Sequence, residues 1–258
     1  MKPIDSKIKY YELIMKYDDT SNLLYYSLPD KYHFEYYKSG DENDWVEINL
    51  SGGNFTSHEE GEKIFHDFFD SFIDELDKRC IFIVDNLTKR KVATATVSLL
   101  KKKENGCNAS IDWVAVDKEY QRKGLSKPLI TACIDIAHIL GHKSIILHTQ
   151  TTTWLAANIY LNLGFKPVNI DNEVGWRILK TITNNKALDD FEAVDSDFLY
   201  DKRNVLIEKK LSKIYKTYDF NYSVWYKNNL HNVYVYCNGK EDEYLYYYEN
   251  DSIRLEKI

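Results

Sequence analysis
The chain has 258 residues, 44% hydrophobic and 29% charged, enough apolar side chain to bury a large core and too balanced for a disordered segment. Lys and Arg number 34 against 40 Asp and Glu, a formal net charge of −6, which argues against nucleic-acid binding and suits a cationic substrate. No apolar run approaches the roughly 18 residues of a membrane helix, and the opening MKPIDSKIKYYELIMKYDD lacks a signal-peptide core, so a cytoplasmic protein without a membrane partner is expected.

Residues 1–30 read as a lead-in, with helical spacing around Tyr10–Lys16. Lys31–Lys38 alternates Tyr32, Phe34 and Tyr36 with His33, Glu35 and Tyr37, the period of a half-buried strand. A short helix fits the stretch from Ser39 or Asp41 through Ile48. Ser57-His58-Glu59-Glu60 is a capping-box pattern, and Phe65, Phe68, Phe69, Phe72, Ile73 and Leu76 follow at helical spacing. Two β-branched runs, Cys80–Val84 and Val92–Leu100, predict a hairpin; Lys101–Gly106 predicts a turn and Ala109–Val116 a third strand.

The period then switches from 2 to 3.6. Leu125, Leu129, Cys133, Ile136 and Leu140 share one helical face, Pro128 fits a first turn and Gly141 a C-terminal cap. Ser144–Gln150 is a short apolar strand, so strand, helix and strand imply a parallel crossover. Trp154–Leu163 predicts a helix closed by Gly164, and residues 166–184 two strand-like pieces around Asp171-Asn172-Glu173. The remainder has a different texture. Of 21 tyrosines only Tyr120 and Tyr160 fall between residues 38 and 199. A helix through Val205, Ile207, Leu211 and Ile214 precedes a meander in which Asn238-Gly239 is a strong hairpin signal. Tyr234, Tyr236, Tyr244, Tyr246 and Tyr248 are expected to make one hairpin face aromatic, either buried or sticky. Cys80, Cys107, Cys133 and Cys237 are scattered, so reduced, buried thiols are expected, with neither disulfide nor metal site.

One stretch points to chemistry. Val114–Ile130, VAVDKEYQRKGLSKPLI, ends a strand in the turn Gln121-Arg122-Lys123-Gly124-Leu125-Ser126 and opens a helix there. Free amides, the positive end of the helix and two cations make such a turn an anion site. About thirty residues on, Asn158-Ile159-Tyr160 lies in a second helix that closes in Gly164-Phe165. In these features the chain resembles the GNAT superfamily of N-acetyltransferases, whose signature is Q/R-x-x-G-x-G/A between a strand and a helix, followed by an Asn/Tyr helix ending in Gly-Phe. Ser126 departs from the usual Gly or Ala.

The resemblance implies an α/β (α+β) GNAT fold: a mixed, mostly antiparallel central sheet flanked by helices over residues 31–185, with residues 186–258 as a small Tyr-rich α+β extension. It implies acetyl-CoA as cofactor, its pyrophosphate over Arg122, Lys123, Gly124, Leu125 and Ser126, with Gln121 and Lys127 also in the cofactor site, and its pantetheine arm along Val114, Ala115 and Val116, oriented by Asn158. Tyr160 would protonate the leaving thiolate. Strand alternation puts Asp112 on the side of Val114 and Val116, where it is a candidate base for the amine; its other reading is a surface carboxylate or an ion pair. His148 is a second candidate base or a hydrogen-bonded structural residue. Trp113, Trp154 and Trp176 are candidates for the acceptor pocket, or core. The expected acceptor is a primary amine on a small molecule. Alternatives are a protein α-amine or lysine, and a non-catalytic acyl-CoA sensor. The extension is expected to cover the substrate side, to mediate a homodimer or to protect a sheet edge.

Overall fold
Alternating and β-branched segments of the middle of the chain assemble into one seven-stranded sheet. The computed structural model describes residues 4–22, 24–168, 173–218, 220–227, 230–237, 240–249 and 252–258. It divides into two units, Leu13–Thr149 with Asn158–Asp171, and Met1–Glu12 with Gln150–Ala157 and Asn172–Ile258.

The larger unit holds β1 (Glu12–Tyr17), β2 (Tyr32–Tyr36), α1 (Glu42–Gly52), α2 (His58–Phe69), α3 (Leu76–Arg79), β3 (Cys80–Asp85), β4 (Lys91–Glu104), β5 (Cys107–Val116), α4 (Ser126–Ile139), β6 (Ile145–Gln150), most of α5 (Trp154–Asn162) and β7 (Lys166–Pro167). Sheet order is β2-β3-β4-β5-β6-β1-β7. The strands from β2 to β5 pair antiparallel, β5 and β6 parallel, and β1 and β7 antiparallel. This is the mixed, mostly antiparallel sheet that the resemblance implied.

Local chemistry explains the joints. Ser57 Oγ accepts from the Glu60 amide at 3.1 Å, and the Glu60 carboxylate accepts from the Thr56 amide at 2.9 Å, closing the start of α2. Asn105 (φ 47) and Gly106 (φ 83) form the β4–β5 turn with both φ values positive, the geometry that Asn-Gly favours. α4 ends in the left-handed Gly141, with the His142 amide reaching back to the Ala137 carbonyl at 2.9 Å; α5 ends the same way at Gly164, with Phe165 reaching Tyr160 at 3.1 Å.

Several expectations are corrected. Tyr10–Lys16 is not helical: β1 runs through it with Leu13, Met15 and Tyr17 buried, and lies inside the sheet between β6 and β7. The alternation of those three residues was masked by apolar neighbours that also satisfy a helical period. The helix expected through Leu76 stops at Phe69 and kinks at Phe72 (φ −147). The turn expected over Lys101–Gly106 shrinks to Asn105-Gly106, and β4 continues to Glu104. On the edge strand β2, Tyr32 is buried but Phe34 and Tyr36 are exposed. Residues 166–184 hold the two-residue β7 and a helix, α6 (Glu173–Thr183), instead of two strands. Asp171 and Asn172 of the expected turn lie outside the described residues.

In the smaller unit α6 buries Trp176, Ile178 and Leu179, and Ile178 packs with Ile8, Leu199 and Trp154. Asp201 caps α7 (Lys202–Tyr215), accepting from the Arg203 amide at 2.8 Å. β8 (Asn221–Lys227), β9 (Leu230–Cys237), β10 (Lys240–Glu249) and β11 (Ser252–Lys257) form an antiparallel sheet ordered β11-β10-β9-β8. Ile207 and Leu211 of α7 pack against Tyr222, Val233, Val235, Tyr244, Tyr246 and Ile253. The tyrosines do not share a face: Tyr244 pairs with Val233 and Tyr234 with Glu243. Cross-strand partners point the same way, so Tyr234 lies opposite Tyr244, and the face holding Tyr244 and Tyr246 is the one under α7. Asn238-Gly239 lies outside the described residues, although the strands that it joins pair from Cys237↔Lys240 onward.

Candidate active site
Two irregularities of β5 shape the site. The first is a bulge. β4 and β5 run in register at Ser98↔Ser110, Val97↔Ile111 and Thr96↔Asp112, then resume at Thr94↔Ala115, so Trp113 and Val114 stand opposite Ala95 alone. Trp113 takes up the insertion at φ 55. The second is a parting of strands. Among the described residues β5 and β6 pair at the single position Ser110↔Ile146, and beyond it Ile111–Val116 and Leu147–Thr149 run on without a common ladder. A wedge therefore opens between the carboxyl ends of two parallel strands, where α/β sheets commonly bind ligands.

On its other side β5 is paired with a strand that carries a row of polar side chains. Thr94, Thr96 and Ser98 are buried on β4, opposite Ala115, Asp112 and Ser110. Ser110 Oγ donates to Asp112 Oδ2 at 2.5 Å. Burial pushes the Asp112 carboxyl above its ordinary range, while the hydroxyls of Ser110 and Ser98 and the His148 imidazole pull it back. His148 Nε2 meets Glu104 Oε2 at 3.2 Å. The bulge overturns the expected alignment of Asp112 with Val114 and Val116. Through their partners Thr96 and Thr94, Asp112 shares a face with Ala115, whose methyl is buried in the core formed by Trp45, Phe65, Phe69 and Phe82.

At the end of β5 the Gln121 side-chain amide donates to the Val116 carbonyl at 3.2 Å and ties the turn to the strand. Arg122 (φ 61) and Gly124 (φ 79) both take the left-handed conformation, and Arg122, Lys123 and Gly124 are exposed. A Cβ built on Gly124 would meet nothing within 4 Å, so the approach to this backbone is open. The first intrahelical bond of α4 runs from the Leu129 amide to the Leu125 carbonyl at 3.1 Å, and Pro128 has no amide. The amides of Ser126 and Lys127 thus precede the helical ladder, at its positive end. These donors and two cations suit a pyrophosphate.

On α5, Tyr160 is buried with its ring 5.9 Å from that of Phe165. Burial raises its phenol well above the usual value, and Cys133 and Asp112 raise it further. The phenol is therefore a protonated donor at neutral pH and lies within electrostatic reach of Asp112.

Residues 43–165 match the family model of the GNAT acetyltransferases. That segment is a GNAT acetyltransferase domain. The chain is similar in fold to a GCN5-related N-acetyltransferase from Sphaerobacter thermophilus, at 13% identity and TM-score 0.51 over 63% of this chain and 49% of that one. An acetyltransferase of the GNAT family from Colwellia psychrerythraea matches at 12% identity and TM-score 0.47, over 64% and 56% of the two chains. The chain thus spans about half the length of these structures. No curated protein matches it. Among the described residues no helix is long and apolar enough to cross a membrane.

Within this GNAT domain the residues singled out from sequence fall into two groups. Gln121 to Lys127 form the turn and the first residues of α4, with Ser126 half-buried as the first helical residue and Leu125 buried beneath it. Asp112, His148 and Tyr160 come together around the wedge. Val114 and Val116 are half-buried on the far side of β5 from Asp112, and Ala115 can offer only its backbone. Asn158 is half-buried on α5. Trp113 packs at 5.1 Å from Trp45 and 5.6 Å from Phe68, whereas Trp154 and Trp176 belong to the other unit. Sequence reasoning missed Ser98, Ser110 and Glu104. The signal for the two serines was present: Thr94, Thr96 and Ser98 alternate inside an apolar run, as do Ser110 and Asp112, which marks one face of a buried sheet as polar. For Glu104 there was none, since its meeting with His148 depends on how far β4 extends.

Proposed function
We propose that this GNAT domain transfers an acetyl group from acetyl-CoA to a primary amine of a small molecule by direct attack. The observation that carries this reading is the open turn at Gly124, with the amides of Ser126 and Lys127 and the cations Arg122 and Lys123, beside strands that part after Ser110. Bound acetyl-CoA supplies the activated thioester. Backbone amides of β5 beyond Ser110 stabilise the carbonyl oxygen as it gains charge. Asp112 takes a proton from the amine, and Tyr160 gives one to the departing sulfur. A net charge of −6 favours approach of a cationic acceptor.

The test is release of free thiol from acetyl-CoA across a panel of small primary amines, with a peptide bearing a free α-amine and a lysine as a further arm. Thiol release with small amines is expected. Release only with the peptide would move the acceptor class to protein, and coenzyme A binding without any release would leave a sensor. Gly124→Glu, which puts a carboxylate where a phosphate is to lie, is expected to abolish coenzyme A binding while the chain stays folded. Retained affinity would remove the turn from the cofactor site.

A further inference from the structure
Acetylation of a protonated amine leaves one proton over. The ammonium nitrogen loses two protons as its bond to the acetyl carbon forms; one ends on the coenzyme A sulfur as the C–S bond breaks, and the other must leave the site. On the proposed reading Asp112 takes the second proton, yet its carboxyl is largely buried and fixed by the Ser110 hydroxyl at 2.5 Å. It needs an outlet.

The sheet provides one. Ser110 and Ile146 are paired on parallel strands, so Asp112 and His148 each lie two residues further along and on the same face. The titratable groups that act on the Asp112 carboxyl are His148 of β6 and Glu104 of β4, and Asp112 in turn acts on Tyr160 of α5. Of these, Tyr160 is buried and carries its own proton. His148 has 36% of its side chain exposed and Glu104 34%, and their contact is 3.2 Å long. An imidazole that shares a face and a charge interaction with a largely buried carboxyl, and meets a half-exposed carboxylate through Nε2, has the form of a proton carrier.

We propose that His148, held by Glu104, is the exit station for the proton that Asp112 removes from the acceptor amine. The N–H bond of the ammonium breaks as an O–H bond forms on Asp112. That proton passes to Nδ1 of His148, directly or across one water, and the proton on Nε2, already directed at Glu104, leaves to solvent. Glu104 stabilises the imidazolium that forms between the two transfers. The inference rests on Asp112 acting as the base of the proposed transfer.

The test uses the full chain and the amine that the wild-type protein acetylates best in the panel above. His148→Ala, assayed in dilute non-imidazole buffer, should lose kcat by an order of magnitude or more, with KM for both substrates within about twofold. Added imidazole should restore its turnover saturably and leave the wild type unaffected. Glu104→Gln should move the acid limb of the kcat profile to lower pH, because an imidazolium without its carboxylate titrates lower. Wild-type kcat in His148→Ala, or a loss that imidazole does not rescue in protein that still binds coenzyme A, overturns the relay. If Asp112→Asn is inactive while His148→Ala is not, the base stands and only the exit route falls; if the wild type releases no thiol, both fall.

Discussion

Burial raises the pKa of two side chains around the wedge. Tyr160 keeps its phenol proton because burial lifts its pKa, so Tyr160→Phe should leave coenzyme A affinity in place while turnover drops by an order of magnitude or more. Unchanged turnover would take Tyr160 out of the acid role. Asp112 shows the opposite side of the same physics. Its carboxyl is raised from 3.8, so the folded protein binds that proton more tightly than the unfolded chain. The stability contributed is full below the ordinary carboxylate value and is lost as pH rises through the elevated one. Asp112→Asn removes that loss, so Tm at pH 7 minus Tm at pH 4 should be more positive for the variant than for the wild type. An identical pH dependence in the two proteins would show that burial does not govern this carboxyl. Candidate residues with a local signature, such as Gly124 in its turn, were legible in the chain. The partners of Asp112 on β4 and β6 were not, since Ser98 and His148 lie 14 and 36 positions away along the chain.

At the level of elements, the helices that flank the sheet show how packing overrides propensity. Gly61 lies inside α2, where alanine would ordinarily gain about 0.5–1 kcal/mol. A Cβ there would stand 2.4 Å from a ring carbon of Phe55 and 2.8 Å from a Val46 methyl, and overpacking of that kind costs about 1–3 kcal/mol. Packing should therefore win, and Gly61→Ala should lower the midpoint of urea unfolding; a raised midpoint would mean that Phe55 yields freely. The capping box, the Asn105-Gly106 turn and the glycine ends of α4 and α5 are each specified within six residues of chain, so such boundaries follow from short-range chemistry. β1 could not be read that way. Its apolar residues fit two periods, and the choice between them was made by the slot between β6 and β7.

For the molecule as a whole, binding and folding are linked. If coenzyme A occupies the turn at Gly124, a concentration one hundred times its Kd should stabilise the protein by about 2.7 kcal/mol, seen as a rise in Tm that Gly124→Glu lacks. No shift in the wild type would count against the cofactor reading. The same scale separates the two units: the polar row, the wedge and the turn all belong to Leu13–Thr149 with Asn158–Asp171, whereas α7 and its four-stranded sheet bury a core of their own.

Read along the chain, the order of strands and helices from β2 to α5, the exposed turn at Gly124 and the Asn/Tyr helix were already present, because each depends on spacing within a few residues or on a short signature. Three things were settled in space: the insertion of β1 into the sheet, the bulge at Trp113 that turns Asp112 away from Val114 and Val116, and the convergence of Ser110, Asp112, His148 and Glu104. All three depend on strand register, and register is a property of pairs of strands. A single extra residue changes which face every following side chain occupies, and no local pattern in β5 reports the strand against which that residue will be counted.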